Sequence, residues 1–161
     1  MTWWLTGLSG AGKSTLAQAL RDRAESVCVV DGDELRSGLS RDLGFDDASR
    51  AENVRRAAHM ARILNSNGIH AVVAMISPAA KERDAAFALI GIDRCKEIYI
   101  NTPLEICIQR DPKGLYARAG AGQLTQMTGI QSAYEPPQNP TLSIDTNVTE
   151  ISQAVIRILA I

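Results

Sequence analysis

The chain contains few cysteines, and they are scattered. Cys28, Cys95 and Cys107 form no C-x-x-C pair, and their number is odd. This pattern argues against a disulfide framework or a zinc site and is typical of a protein in a reducing cytoplasm. The two histidines, His59 and His70, are also too far apart in sequence to indicate a metal site.

Long apolar runs and an excess of one charge are also missing. No run approaches the roughly 20 residues of a membrane-spanning helix, and the formal net charge is −1. We therefore expect neither a membrane protein nor a general nucleic-acid binder. Because the first apolar segment begins at Thr2, we also expect no signal or transit peptide. The length predicts one domain over residues 1–161. The cysteine pattern predicts a location in the cytoplasm.

A glycine-rich motif near the start is the most informative feature present. It fits the pattern G-x-x-x-x-G-K-[ST] and consists of Gly7, Leu8, Ser9, Gly10, Ala11, Gly12, Lys13, Ser14 and Thr15, called the glycine loop below. It lies between a predicted strand and a predicted helix, as phosphate binding requires. Its backbone N–H groups can surround a triphosphate, Lys13 can neutralise the outer phosphates, and the Ser14 hydroxyl can ligate Mg²⁺. The complete match argues against an ordinary glycine turn.

Apolar strand segments alternate with helical patterns along the rest of the chain. The predicted strands are 2–6, 27–30, 71–76, 97–100 and 142–144, and the predicted helices after the first are 34–39, 48–67, 79–90, 103–109 and 148–159. This alternation predicts an α/β fold of the P-loop NTPase type, with a mostly parallel sheet of about five strands and helices on both faces. The predicted apolar positions of helix 48–67 are Val54, Ala57, Ala58, Ala61, Ile63 and Leu64. Those of helix 148–159 are Val148, Ile151, Val155, Ile158 and Leu159.

Residues 110–140 differ in composition from the rest of the chain. Glycine, proline and polar residues dominate this segment, and no period persists. A connection of this length inside one domain is usually functional, and often a lid over a site. We interpret it as an ordered lid segment, with a disordered insertion as the alternative.

Two further strands are followed by polar residues that would face the same crevice as the glycine loop. Asp31-Gly32-Asp33 follows the second strand, and Ser77-Pro78 follows the third. One carboxylate beside a bound triphosphate can hold the metal ion, while another accepts a proton from an attacking hydroxyl. Asp31 and Asp33 are spaced to divide these roles, although an Asp-Gly turn alone is common.

Arginines are concentrated in the segment that follows. Guanidinium groups suit phosphate and sulfate oxygens, and an aromatic ring in a polar neighbourhood can stack on a base. Arg36, Phe45, Arg50 and Asn53 are the candidates for such a role, with a solvated arginine-rich helix face as the alternative. We interpret Arg55, Arg56 and Arg62 as a solvated helix face.

With these pieces in order, the chain resembles the adenylylsulfate (APS) kinase family. That family phosphorylates the 3′-hydroxyl of adenosine 5′-phosphosulfate with MgATP, giving PAPS and ADP for sulfate assimilation. Beyond the glycine loop, the matching pieces are Asp31-Gly32-Asp33, Arg36-x-Gly38-Leu39, Arg41-Asp42-Leu43-Gly44-Phe45, Arg50-x-Glu52-Asn53-x-Arg55-Arg56, Ile76-Ser77-Pro78, Arg110-Asp111-Pro112-Lys113-Gly114-Leu115-Tyr116, Thr128-Gly129-Ile130, Tyr134-Glu135-x-Pro137 and Asp145-Thr146.

The resemblance implies a role for each matched position. The glycine loop and Arg110 would bind ATP, and Ser14 and Asp31 would hold Mg²⁺. The residues implied in catalysis are Lys13, Asp31, Asp33 and Ser77, with Asp33 as the base. The residues implied to bind APS are Arg36, Phe45, Arg50, Asn53, Ile76, Ser77, Lys113 and Met127, with Phe45 stacked on the adenine. Ser77 matches a serine described in the family as phosphorylated, but direct transfer needs no such intermediate. Homodimers are common in the family.

Three positions depart from the family pattern. Met127 replaces an aromatic residue that completes a clamp on the adenine of APS, Ala79-Ala80 replaces an aromatic and an arginine, and Ile108 replaces a glutamate. These departures leave open a kinase for another modified nucleotide, for example in surface-polysaccharide synthesis. A non-catalytic nucleotide-binding module is the second alternative. A GTPase-type switch is the third, although the sequence contains no Asn-Lys-x-Asp motif.

Restoring the aromatic residue tests the clamp argument. Stacking on a base is worth about 1–3 kcal/mol, and a thioether covers the ring less completely. We expect Met127→Phe to lower the KM for APS in steady-state assays. An unchanged or raised KM would count against a clamp at this position.

Overall fold

A parallel sheet of five strands forms the centre of the computed structural model, which describes residues 1–161. The strands are β1 (Thr2–Thr6), β2 (Val27–Asp31), β3 (His70–Ala74), β4 (Cys95–Ile100) and β5 (Leu142–Ile144). Their order in the sheet is β2-β3-β1-β4-β5, and every neighbouring pair is parallel. The predicted α/β class with about five strands is therefore confirmed, and the sheet is entirely parallel.

Seven α-helices connect and cover the strands. They are α1 (Lys13–Arg23), α2 (Gly32–Ser37), α3 (Asp47–Ser66), α4 (Ala80–Ile90), α5 (Leu104–Arg110), α6 (Leu115–Gly120) and α7 (Ile151–Leu159), and a short 3-10 helix spans Ile92–Arg94. Every helix expected from the sequence is present, and α6 is an additional helix inside the lid segment. None of the helices combines the length and the apolar character needed to span a membrane.

The core has two halves, one on each face of the sheet. Because successive strand residues point to opposite faces, Trp3 and Leu5 pack with α1 and α7, whereas Trp4 packs with α3 and α4. Every residue of β1 is buried, as expected for a central strand covered by helices on both sides. This double burial fixes the strand that leads into the glycine loop.

Two predicted core positions are wrong. Ile63 is 61% exposed and Val148 is 78% exposed. Ile63 lies nine residues after Val54, which at about 100° per residue places it on the opposite side of α3 from the buried stripe. Val148 precedes α7, which begins at Ile151, and lies in a turn closed by the Asp145 carbonyl.

Two isoleucines provide a matched test of this core. Ile98 of β4 is fully buried, whereas Ile92 is 74% exposed. Ile98→Ala should lower the free energy of unfolding by about 2–5 kcal/mol, because it removes buried methyl groups and leaves a cavity. Ile92→Ala should change it by less than about 0.5 kcal/mol. Urea denaturation of both variants measures the difference, and equal losses would contradict the assigned core.

Candidate active site

A single crevice collects the polar residues at the carboxyl ends of β1, β2 and β3. Its volume is about 950 Å³, and its lining includes most of the glycine loop, residues 31–33 and residues 74–78. The lid segment contributes Arg110, Lys113 and Met127. Sites in open parallel sheets lie at this edge, so the expectation that the three polar segments converge is confirmed by the geometry.

The glycine loop needs glycine where the backbone turns sharply. Gly10 and Gly12 have φ values of +78° and +99°, a region that side chains other than glycine rarely occupy. A Cβ on Gly10 would also lie 2.7 Å from the Cys107 carbonyl oxygen. Gly12 is the residue directly before α1, so the amino end of that helix faces the crevice. A helix amino end attracts phosphate through its unpaired N–H groups and its dipole.

The ammonium group of Lys13 is held inside the glycine loop. Its Nζ donates to the carbonyl oxygens of Gly7 at 2.8 Å and Leu8 at 2.6 Å. Burial, reinforced by the nearby charge of Lys113, lowers the pKa of Lys13 to about 8. Gly7, Leu8 and Ala11 are absent from the crevice lining. Gly7 and Leu8 therefore act on the site through Lys13.

Ser14 in the first turn of α1 and Asp31 at the end of β2 bring two oxygen groups together. The Ser14 hydroxyl donates to Asp31 Oδ2 at 2.7 Å. The other carboxylate oxygen of Asp31 accepts from the backbone N–H of Asp33 at 2.9 Å and caps α2. A hydroxyl and one carboxylate are the donors that Mg²⁺ uses beside substrate phosphates. This pair therefore fits the predicted metal site.

Asp33 and Lys113 form an ion pair across the crevice. Asp33 lies in the first turn of α2, and Lys113 reaches it from the lid segment. Both side chains are exposed, and exposed ion pairs contribute only about 0–1 kcal/mol. The pair can therefore separate at little cost when a substrate competes for either group.

The arginines assigned to the acceptor side donate to backbone carbonyls around Phe45. Arg36 donates to the Gly44 carbonyl oxygen at 2.6 Å, and its guanidinium lies 4.6 Å from the centre of the Phe45 ring. Arg50 donates to the Phe45 carbonyl oxygen at 2.7 Å and to two lid residues, Gln126 and Thr128. Both arginines line the crevice. Phe45 also lines the crevice and is 65% exposed, so the part of its ring that Arg36 does not cover is accessible.

Asn53 presents an unpaired oxygen within the site. Its side chain is buried, its Nδ2 lies 3.5 Å from the Gly32 carbonyl, and its Oδ1 has no hydrogen-bond partner. A buried acceptor without a partner is costly in a protein alone. Since Asn53 lines the crevice, this oxygen is available to a substrate N–H or O–H group.

The three departures from the family pattern differ in their distance from the crevice. Met127 is buried and lines it, whereas Ala79, Ala80 and Ile108 do not. Ala79 and Ala80 directly follow the lining residues Ser77 and Pro78. Only Met127 is placed where it can alter substrate binding directly.

Ser77 is buried, and its hydroxyl makes two hydrogen bonds within the protein. It accepts a hydrogen bond from Trp4 Nε1 at 3.1 Å and donates to Thr6 Oγ1 at 3.1 Å. Thr6 donates to the Ile76 carbonyl oxygen at 2.7 Å, so the Tyr134 hydroxyl is the donor in its 2.9 Å contact with Thr6. Ser77 also lines the crevice, and its catalytic role stays a prediction. The hydroxyl connects the end of β3 to β1.

Two threonines that sequence reasoning did not assign hold the glycine loop from behind. Thr146 and Thr102 donate to the Ala11 carbonyl oxygen at 2.8 and 3.2 Å. Arg110 in turn donates to Thr146 Oγ1 at 2.7 Å. The sequence feature that could have indicated this role is a threonine two residues after the end of each of the strands β4 and β5.

The sequence predicted that Arg56 belongs to a solvated helix face, but its guanidinium is paired with other parts of the protein. It donates to both carboxylate oxygens of Asp42 at 2.6 and 2.8 Å and to the Leu39 carbonyl oxygen at 2.7 Å. It also pairs with Glu52 at 2.9 Å. Arg56 therefore anchors the loop that carries Phe45 through Asp42 and Leu39, which helical spacing cannot reveal as partners.

Comparison with known sequences gives matches to adenylylsulphate kinases. A family model described as adenylylsulphate kinase matches residues 1–145. An adenylyl-sulfate kinase from Pseudomonas aeruginosa is 47% identical, over 98% of this chain and 82% of that protein.

Comparison with solved structures agrees. The Mycobacterium tuberculosis APS kinase, in complex with AMPPNP and APS, matches with a TM-score of 0.92 and 42% identity over 99% of this chain and 95% of that one. A gluconokinase from Sinorhizobium meliloti matches with a TM-score of 0.67 over 99% of this chain and 89% of that one, but at 15% identity it shares only the fold. The family resemblance drawn from the sequence is confirmed, and the chain belongs to the adenylylsulphate kinase family.

Proposed function

We propose that the protein transfers the γ-phosphoryl group of ATP to the 3′-hydroxyl of APS, giving PAPS and ADP. The observation that carries this proposal is the single crevice in which the glycine loop, Asp33 and Phe45 lie together. The complex of the Mycobacterium tuberculosis relative with AMPPNP and APS supports the choice of donor and acceptor.

ATP binds at the glycine loop. Its phosphates lie at the amino end of α1, where backbone N–H groups and the helix dipole favour negative charge. The Lys13 ammonium exchanges its contacts with Gly7 and Leu8 for phosphate oxygens. Those oxygens restore the charged form that burial disfavours. Arg110, held by Thr146, lies at the edge of the same loop and contacts the nucleotide.

Ser14 and Asp31 are the residues that would hold Mg²⁺, because they supply adjacent oxygen donors beside the phosphate position. When bound, the ion neutralises charge on the β- and γ-phosphates. The remaining catalytic work belongs to positioning and to the base.

Asp33 accepts the proton of the 3′-hydroxyl while the hydroxyl oxygen attacks the γ-phosphorus and ADP departs. For this to occur, Lys113 must leave the Asp33 carboxylate. We propose that residues 110–140 act as a lid whose closure moves Lys113 onto the transferring phosphates. A single movement then frees the base and places a cation where charge develops.

APS binds on the opposite side of the crevice. Phe45 and Met127 enclose its adenine, Arg36 and Arg50 contact its phosphosulfate group, and Ile76 lines the same wall. The unpaired Oδ1 of Asn53 accepts a hydrogen bond from the nucleotide. A related nucleotide remains the second candidate acceptor, supported only by Met127. A homodimer, expected from the family resemblance, and a cytoplasmic location, expected from the scattered cysteines, remain proposals.

The direct test is the initial rate of ADP release from MgATP with APS as acceptor. A panel of other adenine and modified nucleotides is run in parallel, and the product is identified by mass and by the position of its new phosphate. APS-dependent release with a 3′-phosphorylated product is expected. Turnover of another nucleotide in preference to APS would replace the acceptor, and no acceptor-dependent turnover would refute a kinase.

Asp33→Asn tests the base. The amide cannot accept the proton, so kcat should fall by about 10²–10⁴-fold while the KM for APS changes little. Stability should be nearly unchanged, because the side chain is exposed. Asp93→Asn, an exposed carboxylate far along the chain, is the control and should retain full activity. A kcat within about twofold of the unmodified protein would exclude Asp33 as the base.

Phe45→Ala tests the stacking position. Loss of about 1–3 kcal/mol of stacking corresponds to roughly a 5- to 150-fold rise in the KM for APS, with the KM for ATP unchanged. Leu39→Ala removes another exposed apolar side chain from the same loop and serves as the matched control. If both variants raise the KM for APS equally, the loop matters but the ring does not.

A further inference from the structure

Arg83 is a buried charge with no assigned role in the proposed nucleotide binding or phosphoryl transfer. It lies on α4, is 2% exposed, and is absent from the crevice lining. Burying a guanidinium is costly unless it is paired and hydrogen-bonded. Its donors are accordingly committed to three separate parts of the molecule.

The first contact is with the sheet, and the other two are with segments at the crevice. Nε donates to Glu97 Oε1 of β4 at 2.8 Å. Nη1 donates to the Ser77 carbonyl oxygen at 2.8 Å, and Nη2 donates to the Glu135 carbonyl oxygen at 2.8 Å. One planar group therefore ties the turn after β3 and the end of the lid segment to the sheet.

The turn after β3 requires this support. Ser77 has a φ of +39°, a conformation that is costly for a residue with a side chain and that persists only when its surroundings enforce it. Its hydroxyl is held by Trp4 and Thr6, and its carbonyl is held by Arg83. The same turn forms the crevice wall that includes Ile76 and Pro78.

The end of the lid segment is fixed by the same group and its neighbours. The Glu135 backbone N–H donates to the Pro78 carbonyl oxygen at 2.9 Å, and its carboxylate accepts from the Ala80 N–H at 2.7 Å. The helix α4 lacks a side-chain cap of its own, so Glu135 supplies one. Tyr134 stacks on Tyr99 at 6.0 Å, and its hydroxyl reaches Thr6. The lid segment is therefore anchored to the sheet at residues 134–135, before its predicted end at 140.

We propose that Arg83 is a positioning residue for APS: it sets the acceptor wall at residues 76–78 and anchors the carboxyl end of the lid, without contacting either nucleotide. The inference rests on the proposed function. None of its hydrogen bonds reaches residues 9–15 or Arg110. Its loss should therefore weaken the binding of APS and leave the binding of ATP intact.

The test separates positioning from stability with two variants. Arg83→Met removes the guanidinium but leaves the partly buried Glu97 without its partner, which is destabilising. The double variant Arg83→Met/Glu97→Leu replaces the whole ion pair with apolar groups and should recover most of that stability. It does not recover the bonds to Ser77 and Glu135. Arg157→Met, an exposed arginine on α7, is the matched control.

We expect the double variant to unfold at nearly the temperature of the unmodified protein. Its KM for APS should rise by about tenfold or more, because small displacements of a positioned substrate are costly. Its KM for ATP should stay within about twofold. Arg83→Lys, which keeps the charge and part of the hydrogen bonding, should show a smaller rise. Arg157→Met should leave both KM values unchanged.

Three results would overturn the inference. They are a double variant with an unchanged KM for APS, equal rises in both KM values, and a loss confined to kcat that follows the folded fraction. Failure of the proposed function itself is visible in the unmodified protein, which would then show no APS-dependent ADP release. That result would refute both proposals, whereas normal APS turnover with unaffected variants would refute only the role of Arg83.

Discussion

The parallel pairing of β1 with β3 on one side and β4 on the other is the constraint on which the site depends. Leu5 pairs with Ala74, and Thr6 pairs with Tyr99, so the three strands end at one edge of the sheet. The glycine loop, the turn at Ser77 and the turn at Thr102 therefore emerge side by side. Hydroxyl groups then connect these turns, with Thr6 joined to Ser77 and Thr102 joined to Ala11.

Charge in the crevice is balanced by groups of the protein that a nucleotide can replace. Lys13 is held by loop carbonyls, Lys113 by Asp33, and Arg36 and Arg50 by carbonyls near Phe45. The carbonyl partners of Lys13, Arg36 and Arg50 are weaker acceptors than a phosphate or sulfate oxygen, because charge-assisted bonds to anions are stronger than bonds to neutral carbonyls. The Lys113–Asp33 pair is exposed and therefore contributes little. Binding of two anionic nucleotides can therefore exchange these contacts without exposing an unpaired charge. Arg83 and Arg56, whose partners include the carboxylates of Glu97 and Asp42, keep the surrounding segments in place during that exchange.

The features that the sequence predicts well are those written in consecutive residues. The glycine loop, the five strands and the pair Asp31 and Asp33 each depend on a short local pattern. The contacts of Ser77, Arg56 and Arg83 were not predicted because they involve partners far along the chain, such as Trp4 for Ser77 and Glu135 for Arg83. No local pattern reveals whether a hydroxyl or guanidinium faces a crevice or the interior. Ile63 shows the same limit within one helix, where an apolar residue lies outside the buried stripe.

The most direct test of the account is a crystal structure of this protein with a non-hydrolysable ATP analogue, Mg²⁺ and APS. We expect the triphosphate to lie on the glycine loop and the adenine of APS to lie against Phe45. We also expect the Asp33 carboxylate to lie about 3 Å from the 3′-hydroxyl, with Lys113 moved from Asp33 to the phosphates. An Asp33 carboxylate still paired with Lys113, or an acceptor hydroxyl bound away from it, would contradict the proposed exchange and the assigned base.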